Sequence, residues 1–278
     1  MIASPIALPH PRAKSAAGFR SGQLLARALP SLYLSLMVLL PIAALLSSSL
    51  AGGWEGIRSA LTSPGVASAL QLTLIASAMA VAVNVVMGTA IAWVLVRDDF
   101  PGKFVLNGVV DLPFALPTVV AGITLLVVYG PQSPLKLDLT GGRMAIVLAL
   151  LFVTLPFVTR AVQPVLQALD SDMEEAAAML GAGKLTVFRR VIVPTLAPAL
   201  ASGMGLAFAR ALGEFGSVTI LASNLPNRGQ VMSLLIFSDL SVGDTRDASV
   251  LSVVLLTLSL LALITFTIIG NRLRPREA

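Results

Sequence analysis

The sequence predicts an all-α polytopic membrane protein with about six transmembrane helices and a further short helix in one connecting loop. Three observations lead there. Of 278 residues, 56% are hydrophobic and 12% charged, about half the charge of an ordinary soluble domain. Mean hydropathy is +0.90. Finally, the charges are spaced so that apolar stretches of about 20 residues lie between them, the length a helix needs to cross about 30 Å of hydrocarbon. Lipid offers the backbone no hydrogen-bond partners, so these stretches are helices and not lone strands.

Reading between charges places the spans. Arg27 and Glu55 enclose a first at 29–50, and Arg58 and Arg97 a second at 67–96. A third follows Asp111 at 112–129. The fourth, 144–158, is short and extends past Arg160, whose long side chain can snorkel to the interface. The fifth, 195–222, contains Arg210 and Glu214, and the sixth occupies 248–270. The chain thus divides into an N-terminal tail (1–28), a membrane domain (29–270) and a C-terminal tail (271–278). The N-terminal apolar run is too long for a signal-peptide core and contains Pro41, so it reads as an uncleaved anchor.

Charge then orients the spans. The N-terminal tail carries Arg12, Lys14, Arg20 and Arg27. On the same side fall Arg97 and Lys103, then Arg160, Lys184, Arg189 and Arg190, then Arg272, Arg274 and Arg276. That is thirteen of the nineteen Lys and Arg residues, against five on the other side (Arg58, Lys136, Arg143, Arg228, Arg246), with Arg210 inside a span. Six spans with both termini in the cytoplasm satisfy this distribution.

Composition also excludes chemistry. There is no cysteine and a single histidine, His10, so thiolate and histidine metal sites are not expected, nor is a catalytic or cofactor-binding constellation. The pI of about 10.2 does not imply nucleic acid, because no basic face carries interleaved aromatics.

The longest cytoplasmic connection, between Arg160 and Pro194, is the most informative. Ser171-Asp172-Met173-Glu174 reads as a capping box, with the Ser171 hydroxyl on the first turn and Glu174 reaching back. Asp172, Glu174 and Glu175 place negative charge at the positive end of the helix dipole. Met173, Ala176, Ala177 and Leu180 form an apolar stripe, and Gly181 is a natural residue to end the helix. A second short helix at 184–193 stops at Pro194. A helix lying on the inner leaflet would present a basic face, whereas this first turn is acidic and anionic lipid would repel it. A protein partner with a complementary groove fits better.

These residues resemble a known family. Glu175-Ala176-Ala177, three residues, Gly181, nine residues, then Val191-Ile192-Val193-Pro194 is similar to the EAA motif of bacterial ABC-importer permeases, with Val191 for Ile and Val193 for Leu as the departures. The resemblance implies the type I ABC-importer permease fold, with 167–194 as the coupling loop. Glu174, Glu175, Ala176, Ala177, Leu180, Gly181 and Pro194 would then face a cytoplasmic ABC ATPase dimer. Gly181-Ala182-Gly183-Lys184 imitates part of a phosphate-binding loop, but Ala178 and Leu185 stand where Gly and Ser or Thr are required, and no strand precedes it. ATP hydrolysis is expected on the partner.

Asp111 through Thr118, continuing to Gly122, resembles the T-type permease subunit of the sulfate/thiosulfate branch. Ala209-Arg210-Ala211-Leu212-Gly213-Glu214-Phe215-Gly216 is similar to a stretch shared by sulfate and molybdate permeases. The resemblance implies a bacterial inner-membrane importer of tetrahedral oxyanions, a second related permease subunit and a periplasmic sulfate-binding protein.

Candidate path residues follow. Arg210 costs about 2.5–3.5 kcal/mol in the membrane by insertion scales, so it is paired or functional. Glu214, four residues on, supplies a partner along a helical face, and a tethered Arg210 retains N–H groups for an anion. Pro113 and Pro117 after Asp111 either interrupt the helix, exposing N–H groups to anions, or form a tolerated kink after an Asp111 cap. Asn84, Gly88 and Ala92, like Gly203, Ala207 and Ala211, read as packing stripes. An ion-coupled secondary transporter would show more mid-membrane ionisable groups and inverted repeats, which are not visible.

Overall fold

The computed structural model describes residues 26–225 and 229–273. The N-terminal tail up to residue 25, with His10 and three of the counted cations, lies outside the described residues, as do Arg228, Arg274 and Arg276. All regular structure among the described residues is helical.

The chain separates into two units at Ser48. The first holds most of helix α1, Ala26–Leu50. The second carries α2 (Gly53–Thr62), α3 (Val66–Arg97), α4 (Lys103–Ala115), α5 (Thr118–Tyr129), α6 (Arg143–Ala168), α7 (Ser171–Met179), α8 (Lys184–Leu212), α9 (Gly216–Leu221), α10 (Met232–Ser241) and α11 (Thr245–Leu273). Helices α1, α3, α6, α8 and α11 are each long and apolar enough to cross a membrane, and α4 with α5 passes the same test as a bent pair, giving six spans when the pair is counted as one.

The second and sixth spans match the expected ranges within a few residues. The third does not. Its two halves meet at an angle of 117°. Leu116 and Pro117 are both extended at the break, because a residue before proline is driven out of the helical region and proline brings no N–H of its own. Asp111 therefore caps nothing: it sits inside α4, and the Asp111-capped kink is replaced by a sharp break five residues later.

Three further expectations need correction. The fourth span does extend past Arg160, to Ala168, but Arg160 is held by Asp111 and other protein groups where snorkelling to the interface was expected. The helix beginning at Lys184 does not stop at Pro194 but runs on to Leu212. A π turn, Phe188–Ile192, precedes the proline, and the Val193 N–H reaches back five residues to Phe188. The same device occurs in α1, where the π turn Ser35–Leu39 precedes Pro41. Widening the helix by one residue there accommodates a ring that removes a donor and crowds the preceding turn. Finally, the fifth span ends at Leu212, so Glu214 lies beyond the helix and not on a face shared with Arg210.

Small residues set the packing of α3, α6 and α8. A Cβ on Gly88 would lie 3.2 Å from Val158 Cβ, and one on Gly203 3.2 Å from Val158 Cα. Two spans, α3 and α8, thus converge on one point of α6, which is how membrane helices gain contact without a hydrophobic drive. Asn84 secures the same junction, donating from Nδ2 to the Leu151 carbonyl at 3.0 Å and to Thr154 Oγ1 at 2.9 Å.

Candidate functional site

Two regions collect the singled-out residues. The first is the α7 loop. Asp170, not Ser171, is the N-cap: its Oδ1 accepts from the Asp172 N–H at 3.0 Å. The helix begins one residue earlier than the capping-box reading placed it, and the Glu174 carboxylate goes elsewhere. It pairs with Arg97 Nη2 at the end of α3. The helix ends on Gly181 at φ +85°. Gly181 N–H bonds Ala178 O at 2.9 Å and Ala182 N–H bonds Ala177 O at 3.1 Å, the double closure that a left-handed glycine permits.

The apolar stripe divides between two surroundings. Ala177 is half-buried against the cluster of Val187, Ile192 and Leu196. Met179 and Leu180 are 84% and 90% exposed. Glu175 and Ala176 are exposed as well, as is Pro194. Glu174 and Glu175, adjacent in sequence, thus divide: one turns to the protein's own cation, the other to the surface.

The second region lies where α8 gives way to α9, with Arg210 in the last turn of α8. Arg210 Nη1 stands 2.7 Å from Glu214 Oε2. The Glu214 side chain is almost wholly buried, while Arg210 keeps about a third of its side chain exposed. The other carboxylate oxygen, Oε1, accepts from Ser217 N–H at 2.9 Å and Ser217 Oγ at 2.7 Å. The Glu214 carbonyl accepts from Ser233 Oγ at 2.7 Å. Glu214 is therefore a fixed anchor, and Arg210 is the more exposed member of the pair, with N–H donors left over.

The start of α5 packs on this junction. A Cβ on Gly216 would strike Thr118 and come within 2.9 Å of Val119 N, and one on Gly122 would come within 2.9 Å of Ser217 Cα. Thr118 and Val119, next to Pro117, thus meet the Glu214 segment through α9, while Pro113 is buried in α4 one turn before the break.

Asp111 is not part of that junction. Its two oxygens hold Arg160 of α6, from Nε to Oδ1 at 2.7 Å and from Nη2 to Oδ2 at 2.5 Å. Arg160 also donates to Asn107 Oδ1 and O, each at 2.8 Å, and to Gln163 Oε1 at 2.6 Å. Five acceptor contacts match the five donors of a guanidinium. Sequence reasoning missed this cluster, although a cation midway along an extended apolar helix with a carboxylate on a neighbouring span was a usable signal.

Residues 84–276 match the family described as "Binding-protein-dependent transport system inner membrane component". The chain belongs to that family. This permease is 43% identical over 244 residues, 85% of the chain and 86% of the relative, to "Probable sulfate transport system permease protein cysT" of Nephroselmis olivacea. It is 42% identical over 245 residues, 86% of each, to "Sulfate transport system permease protein CysT" of Synechocystis sp.. The protein of the same name in Salmonella typhimurium is 39% identical over 252 residues, 88% of this permease and 91% of the relative. In fold the permease resembles a chain of a bacterial alginate ABC transporter, solved in complex with an alginate pentasaccharide-bound periplasmic protein. The TM-score is 0.76 at 17% identity, covering 92% of this permease and 96% of that chain. It also resembles a chain of the MetNI methionine ABC transporter, with a TM-score of 0.57 at 15% identity, covering 76% and 95%. It is a multi-pass ABC-importer permease of the inner membrane, as the EAA resemblance implied.

Proposed function

We propose that this permease moves sulfate, and thiosulfate beside it, through the membrane in an importer driven by a separate ATPase dimer. The observation that carries the reading is the identity of 39–43% to sulfate permeases over most of the chain. The chemistry of Arg210 agrees with it. A guanidinium anchored at one edge by buried Glu214, which offsets its charge, keeps donors for a passing tetrahedral oxyanion. Such a site favours passage over retention, so specific capture falls to an extracytoplasmic binding protein, and a second, related permease subunit completes the path. Asp111, Pro113 and Pro117 act on that path indirectly, by fixing the broken span against α6 and α9.

The α7 end of the bundle is the cytoplasmic end, with both termini on that side. Exposed Glu175, Ala176, Met179 and Leu180 offer the ATPase an acidic edge and an apolar knob. Gly181 shapes the turn, and Pro194 marks the return into the membrane. Closure of the ATPase moves this element and so biases the permease between inward- and outward-open states.

Uptake into vesicles containing the assembled transporter tests the proposal. ATP-dependent, orthovanadate-sensitive accumulation of labelled sulfate, displaced by thiosulfate, is expected. Preferential displacement by molybdate or tungstate would move the assignment to that branch. Uptake that needs no ATP and collapses with an uncoupler would overturn it in favour of an ion-coupled carrier.

A further inference from the structure

We propose that Arg97, seated on Trp93, is a positioning residue that carries displacement of α7 into the α3 span. The inference rests on the reading that α7 docks to an ATPase.

Arg97 is the last residue of α3, where a cation is favoured by the helix dipole. Its guanidinium carbon lies 5.4 Å from the Trp93 ring centre one turn earlier, within cation–π range. Nη2 pairs with Glu174 Oε1 in the first turn of α7. Both partners are about three-quarters buried, at 26% and 25% exposure. Among the described residues no other ion pair ties α7 to a membrane span. The Arg97 Nε is buried and has no acceptor, so the side chain is fixed by the carboxylate and the indole alone. The Trp93 ring in turn meets Phe188 edge-on, with centroids 6.1 Å apart at 71°. The end of α3 is therefore gripped from both sides of the loop, by Glu174 before the Gly181 turn and by Phe188 after it.

From Arg97 the connection continues by close packing. Helix α3 meets α6 at Gly88, where a Cβ would crowd Val158 and Thr159, and at Asn84, bonded to Leu151 and Thr154. A push on the exposed face of α7 thus bears on α3 through one ion pair, and α3 cannot shift without carrying its contact on α6. The divergence of Glu174 and Glu175 supports this division: the outward residue is free for the partner, and the inward one relays the load.

A double-mutant cycle in the assembled transporter tests the relay. Arg97→Gln, Glu174→Gln, the double variant and Arg97→Lys are reconstituted with the partner subunits. The readout is sulfate moved per ATP hydrolysed, with co-purification of the ATPase as the control for assembly. Each Gln variant is expected to lower that ratio about fivefold with the ATPase still bound. The double variant should be no worse than either single one, and Arg97→Lys should restore part of the loss. Wild-type ratios in both single variants, or losses that multiply in the double variant, would overturn the relay. Absence of sulfate uptake by the wild-type transporter would overturn the functional reading and the relay with it, whereas normal wild-type uptake with unaffected variants sinks the relay alone.

Discussion

Glu214 meets Arg210 across the end of a helix: the 2.7 Å contact joins the last turn of α8 to the non-helical segment that follows it. One carboxylate oxygen holds the cation while the other holds the first turn of α9. Charge and chain direction are thereby linked. Arg210→Ala is expected to lower the initial rate of sulfate uptake at least about tenfold, by removing the cation at the end of α8. Glu214→Ala should lose a similar share and also loosen the α8–α9 junction. Uptake rates alongside thermal melting in detergent separate the effects: Arg210→Ala leaves the buried Glu214 carboxylate without its cation and should lose melting temperature as well as flux, whereas Arg210→Lys keeps the charge and should recover melting temperature more fully than flux.

The Arg160 cluster predicts a loss that is chiefly one of stability. Arg160→Ala strands the Asp111 carboxylate and the Asn107 carbonyl, at a cost of about 1–3 kcal/mol. Melting should fall by several degrees. Asp111→Asn keeps acceptor capacity for Arg160 and should fall less.

The exposed edge of α7 carries a separate expectation. Glu175→Lys should abolish ATP-stimulated uptake while leaving membrane insertion intact, because Glu175 has no ion-pair partner among the described residues and its change disturbs nothing inside the fold. Leu180→Asp should do the same through the apolar knob. Fractionation of membranes and uptake in vesicles give the two measurements, and wild-type uptake by Glu175→Lys would remove it from the docking surface.

The close approach of α5 and α9 can be probed with one methyl group. Gly216→Ala drives a Cβ into Thr118 and Val119, so it should destabilise by about 1–3 kcal/mol. Gly213→Ala, three residues earlier, meets only its own helix at 4.0 Å and should be tolerated. Comparable melting of the two variants would contradict the packing described.

A pH effect is expected at the opposite end of the bundle. Partial burial and the carboxylates of Asp244 and Asp247 push the Asp239 carboxyl above its usual range. A raised acid disfavours the folded state when ionised, so its penalty is present at neutral pH and vanishes as pH falls below the unfolded value of 3.8. Asp239→Asn should therefore raise the melting temperature at pH 7 and leave it unchanged near pH 3.5.

The spans were largely legible because charge spacing reports bilayer crossing directly, and α3 and α11 were placed within a few residues. The break in the third span was half legible. Pro113 and Pro117 mark an interruption, but only packing decides between a kink and a 117° turn, and the glycine contact of Gly216 on Thr118 is set by residues nearly a hundred positions apart. Pro194 misled for a related reason. A proline reads as a stop, yet a π turn ahead of it lets the helix continue, and no local pattern announces that turn. In the α7 loop, Gly181 was legible because a left-handed end requires it. The partner of Glu174 was not, since Arg97 is remote in sequence and a capping box competes for the same carboxylate.

Arg160 has one more consequence. A guanidinium whose five donors are all engaged, and whose charge is met by Asp111, offers a dianion neither a vacant hydrogen bond nor much attraction. An ion drifting past it toward the cell interior would not be detained there, so the cation can brace the broken span without becoming a trap that slows turnover.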